Sequence, residues 1–391
     1  MRHLLLAAAG ALALTVGSLA PAAAQVRGVS DKEITIGTYT DLSGVTVSWG
    51  VNNSNAIRMA FDEVNASGGI HGRKIRYIIE DNQYQVPRSI QAANKLINRD
   101  QVFLMIANGG TPMNNAVMPD QLAKNVPNMF PLTSARSMYE PFHRLKFGLV
   151  SSYYDQMRAA VKLLVEQRGK KALCAMYQDT DFGRDVMDGV RDQMKAMNLT
   201  LAGETAHKPT DADFSASVAR LRDAKCDVLL LGTIVRDTNQ IVSAVRKIGW
   251  NVDIMTQVAA YDSAVAEVPG GVTEGVECMT SVEFVSKDDP RPAVQAFLKG
   301  YKDRYGRDPN FAAQIGYTAA QLVIEGLKNA GRDLTLDSFI TGMENINAYK
   351  DIFGSPTMSF GPKLRQGSNM SLVAVVKAGK WELVSPDAVG Y

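Results

Sequence analysis

Short apolar runs alternate with segments of helical periodicity along almost the whole chain, and this alternation constrains the fold more than any other feature. Strands that are apolar on both faces, each followed by an amphipathic helix, imply parallel sheets covered by helices. Residues 34–38 read as a strand, and 50–65 as a helix with Ala56, Met59, Ala60 and Val64 on one face. The turn Ser67-Gly68-Gly69 ends that helix. Strand 75–80, helix 89–98, strand 103–107, helix 114–124 and a short strand 128–131 complete a first α/β series. A second series begins near residue 152. It comprises helix 152–168, strand 171–177, helix 183–197, strand 199–206, helix 214–224, strand 227–232, helix 237–248 and a short strand at 254–255. Helical stretches follow at 291–305, 312–330 and 336–345. The end is different: 371–377, the turn Gly379-Lys380 and 381–384 form a hairpin signature.

The chain has 391 residues, more than one hydrophobic core usually organises, so the two series are expected to fold as two lobes. Its first residues carry a secretory pattern. Met1-Arg2-His3 is followed by an apolar run from Leu4 to Leu19 and by Ala20-Pro21-Ala22-Ala23-Ala24-Gln25, so cleavage is expected after Ala24. The run is shorter than the ~20 residues a bilayer needs, and Pro21 rather than basic residues follows it. An exported, periplasmic protein is the expectation. Lys plus Arg number 42 against 40 Asp plus Glu, which leaves no strong field to draw nucleic acid or an anionic membrane surface.

Catalytic and metal chemistry find little support. Of four histidines, His3 lies in the leader, and His71, His143 and His207 are too scattered for a metal triad or a nucleophile with its base. There is no G-x-S-x-G elbow, H-E-x-x-H helix or Walker loop; Asn108-Gly109-Gly110-Thr111 is glycine-rich but lacks the lysine of a phosphate loop. No enzyme activity, cofactor or metal is expected. The three cysteines, Cys174, Cys226 and Cys278, fit no zinc spacing; because Cys174 and Cys226 lie in or beside apolar runs, buried free thiols are expected rather than a disulfide.

Four stretches carry a family resemblance. They are Asp41-Leu42-Ser43-Gly44 with Trp49-Gly50; Asn65-Ala66-Ser67-Gly68-Gly69-Ile70-His71-Gly72-Arg73-Lys74-Ile75 leading to Glu80-Asp81; Tyr177-Gln178-Asp179-Thr180-Asp181-Phe182-Gly183; and Asp213-Phe214-Ser215 before Asp227-Val228-Leu229-Leu230. Together they resemble the periplasmic branched-chain amino-acid-type binding proteins of ABC importers, the leucine/isoleucine/valine-binding group. The resemblance implies a type I periplasmic binding protein fold: two α/β lobes, each a parallel sheet flanked by helices, joined by three hinge crossovers. Residues 30–147 and 284–353 would form lobe one and 148–283 and 362–391 lobe two, with 354–361 as the third crossover. It also implies a small-molecule ligand held in the cleft, hinge closure over it, and a membrane permease as partner. A monomer is expected.

Thr111 and Ser134 match the family's carboxylate-binding positions, and each offers a hydroxyl and a backbone N–H. Helix capping and turn formation are the ordinary uses of such residues. Thr133 and Arg136 are neighbours able to contribute. Trp49 and Phe182 stand where the family sets aromatic rings against the ligand from opposite lobes, with Tyr84, Tyr153, Tyr154 and Tyr261 as weaker candidates. One departure bears on the ligand. Amino-acid binders of this type pair the ligand's ammonium with a Glu, and Val258 stands at that place in Met255-Thr256-Gln257-Val258-Ala259-Ala260. A buried ammonium without a counter-charge costs several kcal/mol. Unless Asp237 or Asp262 substitutes, a carboxylate without an α-ammonium is the expected ligand, an aromatic or short aliphatic acid. Branched-chain amino acids, amides or urea are the alternative ligands for the same fold, and an exported hydrolase or a sensory clamshell module are the rival functions.

Overall fold

The computed structural model describes residues 26–391; the expected leader and its cleavage site lie outside the described residues. In chain order the first unit contains β1 (Glu33–Thr40), α1 (Val47–Ala66), β2 (Lys74–Asp81), α2 (Val86–Asn94), β3 (Leu104–Ile106), α3 (Thr111–Ala123), β4 (Asn128–Met129) and β5 (Lys146–Phe147). The second contains α4 (Tyr153–Lys162), β6 (Leu173–Gln178), α5 (Asp181–Ala196), β7 (Gly203–His207), α6 (Ser215–Asp223), β8 (Val228–Gly232), α7 (Val235–Lys247), β9 (Asp253–Thr256), the single turn α8 (Ser263–Ala266) and β10 (Glu277–Thr280). Helices α9 (Pro292–Tyr305), α10 (Phe311–Asn329) and α11 (Leu336–Glu344) follow, then β11 (Leu372–Lys377) and β12 (Lys380–Leu383).

The strands form two sheets. The first is parallel throughout, in the order β2-β1-β3-β4-β5; the second runs β12-β11-β10-β9-β8-β6-β7, parallel except where β11 pairs antiparallel with β10 and β12. The terminal hairpin is therefore an edge extension of the second sheet. Helices α9 and α10 return to the first unit, where α10 packs along α1 and α11 along α10. The chain thus passes between the units three times, after β5, after β10 and before β11. Gly148 and Gln366 bridge in parallel where two of these passages run side by side.

Central strands are buried on both faces, as their unbroken apolar runs require. Val228–Gly232 is buried at every position and lies between β6 and β9. The first core gathers Ile34, Ile36, Phe61, Leu104, Phe147 and Phe339, and a larger one gathers β6, β8 and β9 with α4, α5 and α7. Gly69, at φ +79, turns the chain out of α1 into β2; a Cβ there would strike the Arg73 backbone, which explains the glycine pair in that stretch. Strands β5 and β10 are not in the sequence reading, and helices α1, α2, α3, α5 and α7 each start two or three residues earlier than the periodicity suggests.

The expectation of free thiols at Cys174 and Cys226 is corrected. The two are joined in a disulfide: β6 and β8 are parallel neighbours, and the approach to β8 brings Cys226 within reach of Cys174, with Cα atoms 5.7 Å apart. Cys278 in β10 is free and buried, and burial pushes its thiol up to about 12. Among the described residues no helix is long and apolar enough to cross a membrane.

Candidate ligand-binding cleft

A cleft of about 840 Å³, open mouth included, lies between the two sheets. Each wall segment follows the C-terminal end of a parallel strand, where ligand sites of open α/β sheets form. Val45 to Trp49 follow β1, Tyr84 follows β2, Gly109 to Thr111 follow β3, and Leu132 and Thr133 follow β4. From the second unit come Tyr153 after β5, Phe182 after β6, Ile234 to Arg236 after β8, and Ala259 after β9. Helices α1, α3, α5 and α7 all begin at this cleft, and none has a side chain capping its first turn. Helix starts favour negative charge, and α5 and α7 already carry Asp181 and Asp237 in their first turns.

Local chemistry shapes the first wall. Asp41, buried at the end of β1, accepts from the Thr46 N–H at 2.7 Å and the Thr46 hydroxyl at 2.8 Å. Asp81 accepts from the Leu42 N–H at 2.9 Å and the Ser43 hydroxyl at 2.6 Å. The two carboxylates fold the loop that delivers Val45, Val47 and Trp49 to the cleft, which gives Asp41-Leu42-Ser43-Gly44 and Glu80-Asp81 a structural meaning. Gly110 adopts φ +87, and a Cβ on it would stand 3.1 Å from the Tyr84 ring and 2.8 Å from Met113 Sδ. Glycine there keeps the floor of the cleft at backbone level.

Thr111 and Thr133 share a hydrogen bond of 2.6 Å between their Oγ1 atoms at the cleft floor. Beside them lies Thr40, only 2 % exposed, whose buried hydroxyl has no partner among the described residues. An orphaned buried hydroxyl is costly, which makes Thr40 a strained point at the edge of the cleft. Burial raises the phenols of Tyr84 and Tyr153 above the ordinary tyrosine range, so both remain O–H groups at neutral pH. Tyr153 meets Phe182 edge to face at 5.0 Å, forming an aromatic wall opposite Trp49.

The structure brings Thr111, Thr133, Trp49, Phe182, Tyr84 and Tyr153 together in this cleft. It places other candidates elsewhere. Ser134 and Val258 line a smaller adjoining chamber toward the hinge, which shares Trp49, Leu132, Thr133 and Tyr153 with the main cleft. The Tyr153 N–H donates to the Ser134 carbonyl at 2.8 Å, and the Val258 N–H to Gln156 Oε1 at 3.0 Å. Tyr261 is fully buried among Phe284, Phe311 and Trp381 and does not reach the cleft. Arg136 is drawn away to Asp185 and Asp188 on α5 and lies over the Tyr154 ring at 3.7 Å. Tyr154 in turn donates to Asp192.

Neither proposed substitute for the missing acid lines the cleft. Asp237 is fully buried, held by His207 Nε2 at 3.1 Å, Gln178 Nε2 at 3.4 Å and Arg236. Asp262 accepts from the Ala264 N–H at 2.9 Å and Asn310 Nδ2 at 2.8 Å, and burial raises its pKa. No Asp or Glu stands among the cleft's lining residues, and Arg236 is the charged one. Thr40 and Arg236 are absent from the sequence reading. Thr40 is the last residue of β1 and Arg236 follows β8 by four residues, and in either place a lone Thr or Arg has no distinguishing pattern.

Residues 33–380 match the family model described as periplasmic binding protein. The leucine-specific-binding protein of Salmonella typhimurium is 22% identical over 315 residues, covering 80% of this chain and 83% of its own. Among solved structures, the fatty acid ABC transporter substrate-binding protein from Thermomonospora curvata superposes with a TM-score of 0.85 at 24% identity, over 94% of this chain and 95% of its own. A branched chain amino acid ABC transporter from Thermus thermophilus with bound valine gives a TM-score of 0.84 at 16% identity, over 93% and 98%. At these identities the structural likeness speaks for the fold.

Proposed function

The chain belongs to the periplasmic binding protein family, and from that premise we propose that it is the solute-binding component of an ABC importer, taking a small carboxylate with an apolar body and no ammonium. Its relatives are solute-binding proteins, which supports a binding role rather than an enzymatic one. In this reading the leader is removed after Ala24 and the mature protein works in the periplasm as a monomer. The two units act as lobes, with boundaries as assigned from the sequence, that close about the three crossovers and present the loaded form to a permease.

The observation that carries the reading is the charge of the cleft: no acidic side chain, one guanidinium, and four uncapped helix starts. The carboxylate is assigned to Thr111 and Thr133 at the start of α3, with Thr40 beside them, and the apolar body to Trp49, Tyr84, Tyr153 and Phe182. Ser134 joins them if the ligand reaches the adjoining chamber. Branched-chain amino acids, which the names of several relatives specify, would bring an ammonium that meets no carboxylate here, at a cost of several kcal/mol. Fatty acids, named for one structural neighbour, share the chemistry of a carboxylate on an apolar chain.

A thermal-shift panel of benzoate, hexanoate and leucine tests this. A ligand at a hundred times its Kd stabilises the native state by about 2.7 kcal/mol. The acids without an amine are expected to raise Tm and leucine to leave it unchanged. A shift with leucine alone would overturn the reading.

A further inference from the structure

The geometry points to Arg236 as the residue that reads a second oxygen acceptor on the ligand, so that the preferred solutes are acids carrying a hydroxyl, carbonyl or second carboxylate at the end remote from Thr111 and Thr133. This rests on the carboxylate reading and narrows it. Arg236 opens α7 on the second unit, across the cleft from the Thr111–Thr133 pair. Its guanidinium is held from behind. Nε donates to Asp237 Oδ1 at 2.7 Å, and Nη2 to the Pro209 carbonyl at 2.7 Å and the Asp211 carbonyl at 3.3 Å. Asp237 is itself fixed by His207 and Gln178, so the arginine is anchored to a buried network rather than free to follow solvent.

Nη1 has no hydrogen-bond partner among the described residues, while the side chain lines the cleft and remains 29% exposed. An arginine carries five N–H donors in a rigid fork, and this one spends Nε and Nη2 on protein, which leaves Nη1 free for a ligand acceptor. Much of the remaining lining is apolar, including Trp49, Leu132, Phe182, Ile234 and Val235. Polar recognition at two ends with an apolar middle selects a ligand polar at both ends. A simple monoacid would leave the desolvated Nη1 without an acceptor when the cleft closes, and sites built to hydrogen-bond a group discriminate strongly against analogues lacking it.

Matched ligand pairs provide the test: benzoate against 4-hydroxybenzoate, and hexanoate against adipate, titrated calorimetrically into the wild-type protein and Arg236→Met. In at least one pair the wild type is expected to bind the doubly polar ligand about tenfold or more tightly, as a charge-assisted hydrogen bond allows, and Arg236→Met to shrink that gap to under about twofold. Because Arg236→Met leaves Asp237 without its cation, the double variant Arg236→Met/Asp237→Asn is measured alongside, and the wild-type comparison stands whatever either variant's folding. Equal wild-type affinities within both pairs, or a preference that survives the loss of Arg236, would overturn the role of Arg236 while leaving carboxylate capture intact. Failure of all four acids together with binding of leucine would overturn both.

Discussion

Thr111 Oγ1 and Thr133 Oγ1 lie 2.6 Å apart, one in the first turn of α3 and the other in the loop after β4, and each is the other's partner. A carboxylate arriving there offers both hydroxyls a stronger acceptor than they offer each other, and a hydrogen bond to a charged group is worth about 1.5–3 kcal/mol. Replacing both partners by groups of the same shape removes the donors without orphaning either one. The variant Thr111→Val/Thr133→Val is therefore expected to keep its Tm within a few degrees and to lose roughly ten- to a hundredfold in carboxylate affinity, measured by calorimetry. Undiminished affinity would remove the pair from the site.

Gly110→Ala tests the floor of the cleft. The residue sits at φ +87 and ψ 138, a conformation that side chains resist, and the new methyl would press on Tyr84 and Met113. A loss of about 1–3 kcal/mol in urea denaturation is expected, with weaker ligand binding as Tyr84 is displaced. An unchanged midpoint would show that the loop relaxes freely.

The same region shows what a sequence conveys and what it withholds. Apolar runs such as Val228–Gly232 declare themselves because a strand buried on both faces has no polar positions to spare. Two-residue β5 and short β10 escape because they carry too few residues for any period; they exist only through their neighbours. Periodicity alone starts helices α3, α5 and α7 late, since the usual side-chain caps are missing, and those uncapped starts face the cleft. Thr133 and Ser134 are adjacent in an irregular loop, so the choice between them turns on backbone direction, which no alternation rule supplies. Arg236 has no sequence signature, since its meaning comes from Asp237 and His207 behind it. Likewise the pairing of Cys174 with Cys226 depends on two strands being neighbours, not on spacing.

That disulfide closes a sequence separation of 52 residues. A loop of this length gives a chain-entropy stabilisation of about 4 kcal/mol, with measured values usually somewhat lower. Cys174→Ala/Cys226→Ala is expected to lower stability by about 2–4 kcal/mol while leaving the cleft, which neither residue lines, able to bind. Thiol titration of the unfolded protein checks the pairing itself: one reactive thiol before reduction and three after. Three thiols without reductant, in protein recovered from an oxidising compartment, would refute it.

Asp185 gives the pH dependence. It lies on α5 and accepts from the Arg136 backbone N–H and Nε, both at 3.2 Å, linking the second unit to the loop after β4. Burial outweighs the attraction of Arg136 and pushes the carboxyl up from its ordinary 3.8 to about 6. A carboxyl whose native pKa is raised holds its proton more tightly in the folded state. Its contribution to stability is therefore fully present below pH 3.8 and is lost as pH rises through about 6. The difference of about two pKa units corresponds to roughly 3 kcal/mol across that window. Asp185→Asn keeps an oxygen acceptor for Arg136 but carries no charge to desolvate, so it lacks this decline. Thermal denaturation from pH 4.5 to 7.5 should show the variant and the wild type close together at the acid end, with the variant the more stable at pH 7.5. A wild type that is the more stable of the two at pH 7.5 would mean that the ion pair with Arg136 outweighs the burial of Asp185, and the sign of the effect would be reversed.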